Sequence, residues 1–269
     1  MGGVVVSDLG NQFYAQLAAG IEQTLREAGY QMVLLGDNSE TAAELDGART
    51  FVAMRAPGVI MTPVAPDTAS LLAAHGTAVV EVDRRLATTP CDAVVIDNER
   101  GGRAATSHLL ELGHRRIGLL VVDTDWTSDA GRVDGYRNAH ADAGVPIEDD
   151  LIVRVPVHAD AQQHIERLFA DEPPTAIFAA NNLLAEQAWR VLRDRGLELP
   201  GDIALVGFDD VPWMEMVNPA ITVVDQPTME MGRCAARLLL ERLADPAAPP
   251  RVELLQPSLV VRGSTAPPA

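Results

Sequence analysis

The side chains best suited to chemistry in this 269-residue sequence follow short Val/Ile/Leu-rich runs. Asn11, Phe13 and Tyr14 come after the first run, Asp83 and Arg84 after the fourth, Trp126 and Arg132 after the sixth, and Asn181, Asp209 and Gln226 after later ones. Carboxylates, amides and a guanidinium can each engage adjacent hydroxyls with paired hydrogen bonds, while aromatic faces cover the C–H side of a sugar ring. The set fits a neutral polyol better than a nucleotide.

Bond-making chemistry has less support. The first strand-to-helix turn reads Ser7-Asp8-Leu9-Gly10-Asn11-Gln12, where a dinucleotide site needs G-x-G-x-x-G. No Walker A loop, no G-x-S-x-G elbow and no Ser/His/Asp order is present, and no pair among the many carboxylates stands out as a glycosidase acid and nucleophile. The histidines show no HExxH or CxxC partner spacing, so no metal and no cofactor is expected. Cys91 and Cys234 are expected as free thiols of a reducing cytosol rather than a disulfide framework. The chain is read as a binding module, not an enzyme.

The elements that must position these groups alternate almost from end to end. Strands are predicted near 3–7, 31–35, 58–61, 78–82, 93–96, 116–121, 151–155, 176–178, 203–206, 222–224, 252–254 and 258–261. Helices between them include 13–28, 101–112, 130–143, 183–195 and 229–243, with Leu17, Ile21, Leu25 and Ala28 at helical spacing and Gly29 as a stop. Strands apolar on both faces and joined by helices imply parallel sheets covered on both sides. So many strands overfill one open sheet, and the pattern starts afresh after Asp97. The expected fold is therefore α/β, with two doubly wound parallel-sheet lobes joined by a multi-crossing hinge. The lobes are drawn as 1–112 plus 226–256 and 113–225 plus 257–269. In open α/β sheets ligands sit beyond the carboxyl ends of strands, where the residues singled out above fall.

Composition limits the partners. With 47% hydrophobic residues the chain can bury a substantial core. Its 38 Asp and Glu against 21 Lys and Arg give a net charge of −17, and no basic cluster exceeds the Arg84-Arg85 and Arg115-Arg116 pairs. Such a field repels a phosphate backbone, so these residues are not expected to grip DNA themselves. The start lacks a basic n-region and a cleavage site, and no run approaches the ~20 apolar residues of a membrane span. A cytoplasmic location is expected.

The order of the motifs carries a resemblance. VVVSDLGNQFYAQLAAGIEQTLREAGYQMVLL (4–35), VVEVDRR (79–85), LGHRRIGLL (112–120), RVDGY (132–136), AIFAANN (176–182), IALVGFDD (203–210), ITVVDQP (221–227) and LVVRGST (259–265) resemble the LacI/GalR transcription regulators. More distantly they are similar to sugar-binding proteins of the periplasmic type I fold. The likeness covers essentially the whole chain, in order, and lacks the helix-turn-helix headpiece that precedes this core in the family.

The resemblance implies an effector-sensing, dimerising core that reaches operator DNA through a headpiece. By matched positions it implies that Asn11, Phe13 and Tyr14 form the first ligand loop, that Asp83, Arg84 and Arg132 hold sugar hydroxyls, and that Asn181, Asp209 and Gln226 complete the set. The implied effector is a monosaccharide or related polyol, and the implied assembly is a homodimer. Gln12 stands where proline is common, Asn182 where an aspartate is usual, and Ala159 where many relatives carry Phe or Trp. Trp126 or Trp213 could supply the missing aromatic face.

Plainer readings stay open. Phe13 and Tyr14 could be only the apolar start of a helix, Asp209-Asp210 an N-cap pair, Asp83-Arg84 a surface ion pair, and Trp213 with Met214 and Met216 packing. The apolar run FVAMRAPGVIM (51–61) is a candidate for part of a dimer interface, or an ordinary helix and buried strand. A solute-binding protein for sugar uptake is the alternative function.

Overall fold

A computed structural model describes residues 1–170 and 172–268. Two six-stranded sheets carry the chain. The first has the order β11 (Val252–Leu255), β5 (Asp92–Ile96), β4 (Ala78–Val82), β3 (Gly58–Met61), β1 (Gly2–Val6), β2 (Met32–Gly36), parallel throughout. The second repeats it as β12 (Ser258–Val260), β10 (Thr222–Asp225), β9 (Ala204–Phe208), β8 (Ala176–Ala179), β6 (Ile117–Val122), β7 (Ile152–Val155), with β12 alone antiparallel. Each sheet is the doubly wound form expected of apolar strands alternating with helices.

The helices are α1 (Gln12–Glu27), α2 (Thr41–Ala53), α3 (Thr68–Ala74), α4 (Asn98–Glu111), α5 (Thr127–Ala143), α6 (Gln162–Arg167), α7 (Asn182–Asp194), α8 (Trp213–Met216) and α9 (Thr228–Ala244). In α1, Leu17, Ile21 and Leu25 are fully buried, and Gly29 just beyond its C-cap takes φ +80°, a conformation that stops a helix at little cost to glycine. Among the described residues no helix is long and apolar enough to cross a membrane.

The chain divides into one unit of Met1–Ile96 with Pro227–Leu255 and a second of Asp97–Gln226 with the segment from Gln256 onward. This corrects the expected boundary at 112. Residues 97–112 belong to the second unit, as do Gln226 and Gln256. The cause is α4, which packs along α5 and against β8, β10 and β12. Its approach to α5 is a backbone-to-backbone contact: a Cβ at Gly102 would strike the Arg132 carbonyl, and one at Gly135 would strike the Glu99 carbonyl and the Arg103 amide. Gly135→Ala should therefore cost roughly 1–3 kcal/mol, the usual penalty of overpacking, read as a lower urea midpoint with unchanged slope. A midpoint equal to wild type would show that the two helices can part without loss.

The first unit has a core that includes Val5, Phe51, Val59, Met61 and Leu72, and the second one that includes Ile177, Leu205, Val223, Leu184 and Ile165. The run 51–61 is accordingly not a free interface. Phe51, Ala56, Val59, Ile60 and Met61 are buried within the first unit, because α2 and β3 turn their apolar residues into its core; Met54 is the large apolar side chain of the run left exposed.

Candidate functional site

In the first unit the sequence-selected residues converge beyond the carboxyl ends of β1 and β4. Asn11 caps α1, accepting the Phe13 amide at 3.0 Å, which fixes where the helix starts. Phe13 and Tyr14 are both buried in its first turn, edge to face with centroids 5.0 Å apart. Tyr14 is more than an apolar starter, since its hydroxyl is hydrogen-bonded with Ser7 and Arg84. Burial pushes its phenol up to about 12, against the pull of the Arg84 charge, so it stays neutral.

Arg84 is 2% exposed. Its Nε donates to the Pro63 carbonyl at 2.6 Å, Nη2 donates to Ser7 Oγ, and Nη1 reaches Asp83 Oδ2 at 3.4 Å. The Asp83-Arg84 pair is therefore not on the surface. A buried pair recovers little more than its desolvation cost, so its presence is poorly explained as a stabilising device.

The second unit brings its own set together. Arg132, 5% exposed on α5, donates through Nε to Asn98 Oδ1 at 2.9 Å and through Nη1 to the Ala180 carbonyl at 2.5 Å, and lies over the Phe208 ring at 3.8 Å. Its partners among the described residues are neutral, and Nη2 is bonded to none of them. Asn181 caps α7, accepting the Leu184 amide at 2.8 Å. Asp209 is buried and accepts the Asn182 amide at 3.3 Å and the side-chain amide of buried Gln226.

Asp209-Asp210 is not an N-cap pair. The next helix, α8, is capped by Pro212, and Asp210 is held by Arg262 at 2.8 and 2.6 Å. Asp83 and Asp209 instead share a backbone form. Each amide continues the sheet by one bond, to Val94 at 3.0 Å and Val224 at 2.9 Å, and each residue then turns left-handed, with φ 75° and 70°. For a residue with a Cβ that conformation costs on the order of 1 kcal/mol, and such outliers gather at ligand sites.

The aromatic candidates are placed differently. Trp126 is the half-buried N-cap residue of α5, its amide donating to Thr124 Oγ1 at 3.4 Å. Trp213 packs on the core of the second unit and against Trp189, at 6.1 Å between centroids, which is the packing alternative. Ala159 lines a cavity of about 600 Å³ with Leu183, Gln187 and Arg190. Both cysteines are free, and burial pushes both thiols up.

Sequence reasoning does not reach Ser7, the acceptor of Arg84, or Asn98, the acceptor of Arg132. Both follow strands, at the ends of β1 and β5, and that position is the signal that would have found them.

Residues 106–265 match the family described as periplasmic binding protein-like domain. The chain is 33% identical over 270 residues to the HTH-type transcriptional regulator DegA of Bacillus subtilis, covering 98% of this chain and 80% of the relative. It is 34% identical over 258 residues to the HTH-type transcriptional regulator CelR of Thermobifida fusca, covering 94% and 76%. Among solved structures, a LacI family transcriptional regulator from Enterococcus faecium with bound ribose is similar with TM-score 0.87 at 28% identity, over 99% of this chain and 98% of that one. A transcriptional regulator CelR–cellobiose complex is similar with TM-score 0.88 at 31% identity, over 98% and 84%.

Proposed function

Because this chain belongs to the LacI family of transcription regulators, whose body is a periplasmic binding protein-like domain, we propose that it is the effector-binding core of such a regulator and that the effector is a monosaccharide or close polyol. The observation that carries the reading is Arg132, a buried guanidinium whose described partners are the neutral Asn98, Ala180 and Phe208. A cation so placed keeps donor capacity for a polar ligand. Asp209, Gln226 and Asn181 on the second unit, with Asn11, Tyr14, Asp83 and Arg84 on the first, supply the acceptors and donors that adjacent hydroxyls need. The sugars in the related ribose and cellobiose complexes support the same ligand class.

Binding acts by differential affinity: an effector that satisfies these groups in one conformation shifts the population towards it, and no bond is made or broken. DNA is engaged through a helix-turn-helix of the kind the relatives' names carry, since the −17 charge of these residues opposes a phosphate backbone. Regulator relatives at 33 and 34% identity favour this reading over a receptor for sugar uptake.

A thermal-shift screen of pentoses, hexoses and disaccharides against nucleosides tests the ligand class. A ligand selective for the folded state raises the melting temperature, by about 2.7 kcal/mol of stability at a hundredfold excess over Kd. Sugars should raise it and nucleosides should not; stabilisation by purines alone overturns the assignment. The family relation also supports a homodimer. Sedimentation at micromolar concentration should show twice the 28.7 kDa chain mass, and a monomer there counts against a strong core-to-core dimer.

A further inference from the structure

Behind Arg84 lies a layer of buried acid that the ligand reading does not use. Asp37, just past β2, is fully buried; its Oδ1 accepts the Ser39 amide at 2.7 Å, and its Oδ2 has no hydrogen-bond partner among the described residues. Its own amide donates to the Val6 carbonyl at 3.0 Å. That fixes it beside the residue preceding Ser7, which accepts Arg84 Nη2. From α2, the fully buried Glu44 accepts the amides of Val64 and Ala65 and the hydroxyl of Thr68. These bonds pin the loop whose Pro63 carbonyl accepts Arg84 Nε. The two neutral acceptors of Arg84 are each fastened next to a buried carboxyl group.

The charged groups facing Asp37 are Glu44 from α2 and Arg84 from the segment after β4. Around Arg84 stand Asp83 and, from α1, the Tyr14 phenol. A carboxylate with one oxygen neither solvated nor paired, beside a second carboxylate, is costly in its charged form. Burial accordingly pushes Asp37 up to about 7, with the Glu44 charge adding to it and the Ser39 amide and Arg84 opposing. Burial raises Glu44 as well, against its hydrogen bonds from Thr68, Val64 and Ala65.

We propose that Asp37 is a proton-gated positioning residue for Arg84: protonated, it leaves the guanidinium on Ser7, Pro63 and Asp83, and deprotonated, it draws the guanidinium off Ser7. The presentation of Arg84 beyond the strand ends then depends on one proton. The consequence for effector affinity rests on the reading of Arg84 as a ligand group.

The test follows the Asp37 carboxyl carbon and the Arg84 Nε by NMR of the labelled full chain across neutral pH. Both signals should step together with a midpoint near 7, and Asp37→Asn should abolish the Arg84 step. Stability gives a second readout. An acid raised in the folded state contributes stability that is full below the ordinary carboxylate range and lost as pH rises through its folded value. The wild-type urea midpoint should therefore fall relative to Asp37→Asn as pH rises from the ordinary carboxylate value of 3.8 to about 7, and level off above it.

An Asp37 carbon that titrates in the ordinary carboxylate range, or an Arg84 signal that stays flat while Asp37 titrates, overturns the proposal. The wild-type titration decides this even if the variant fails to fold. A sugar screen without hits, with Arg84 still stepping, would remove the ligand role and leave the coupling intact. A sugar that binds equally well on both sides of neutrality, with Arg84 flat, would remove the coupling and leave the ligand role.

Discussion

Arg132→Ala is expected to weaken effector binding by about 2 kcal/mol or more, roughly thirtyfold in Kd, while the protein still unfolds in one cooperative step. The expectation follows from what the guanidinium touches. If it neutralised a buried carboxylate, its removal would strand that charge and cost ~3–5 kcal/mol of folding free energy. Its recorded partners are an amide oxygen, a backbone carbonyl and an aromatic ring. Truncation therefore leaves two neutral acceptors to be satisfied by water, a cost of about 1–3 kcal/mol at most. Affinity should suffer before stability does.

Asp209→Asn probes the same set from the acceptor side. It keeps the shape and an oxygen for the Asn182 amide while removing the charge that faces the Gln226 amide. Charge-assisted bonds to sugar hydroxyls are roughly twice as strong as neutral ones, so a loss of affinity comparable to that of Arg132→Ala is expected. Calorimetric titration with the sugar found by the screen, beside urea unfolding of each variant, separates the outcomes. Unchanged affinity in both variants together with a large loss of stability would take these residues out of the site.

The strands and the residues after them were the legible part of this molecule. β3 and β4 begin after Pro57 and Thr77 and are rich in Val and Ile, with Glu81 the one charged residue among them, so their bounds read directly from 58–61 and 78–82. α2 is harder to see because its buried face includes Glu44 and Gly47, which break the apolar stripe; α6 and α8 are too short for any period to show. The side of the boundary on which α4 falls is decided by close packing at Gly102 and Gly135, a tertiary fact that strand-and-helix alternation does not encode. Ser7, Asp37, Asn98 and Glu44 share a similar obscurity. Polar residues in turns and helix starts are usually solvated, and only the folded chain reveals that these four are buried. The sequence therefore exposed some of the groups that follow strands and concealed others that support them, Ser7, Asp37 and Asn98 among them.

The largest expected loss of stability lies away from the ligand residues, at Arg242. This α9 side chain donates to both oxygens of Asp92, at 2.8 and 3.1 Å, and to the carbonyls of Pro246, Ala248 and Pro249. Asp92 opens β5 and is only 2% exposed, and its one further recorded partner is the Arg251 amide at 2.8 Å. One guanidinium thus ties the head of a central strand to the loop that delivers β11 to the sheet. Arg242→Ala should strand the buried carboxylate and cost ~3–5 kcal/mol. Arg242→Lys, which keeps the charge but not the planar fork, should fall between that variant and wild type. The exposed Arg193–Asp194 pair, at 2.7 Å, is the control: Arg193→Ala should change stability by no more than about 1 kcal/mol. If the cost at Arg242 comes from the uncompensated Asp92 charge, Asp92→Asn added to Arg242→Ala should recover part of the loss, whereas a penalty from loosening the 246–249 loop alone would persist. Urea unfolding of the three single variants and the double variant measures each term, and equal small losses at Arg242 and Arg193 would show that the buried pair is no anchor.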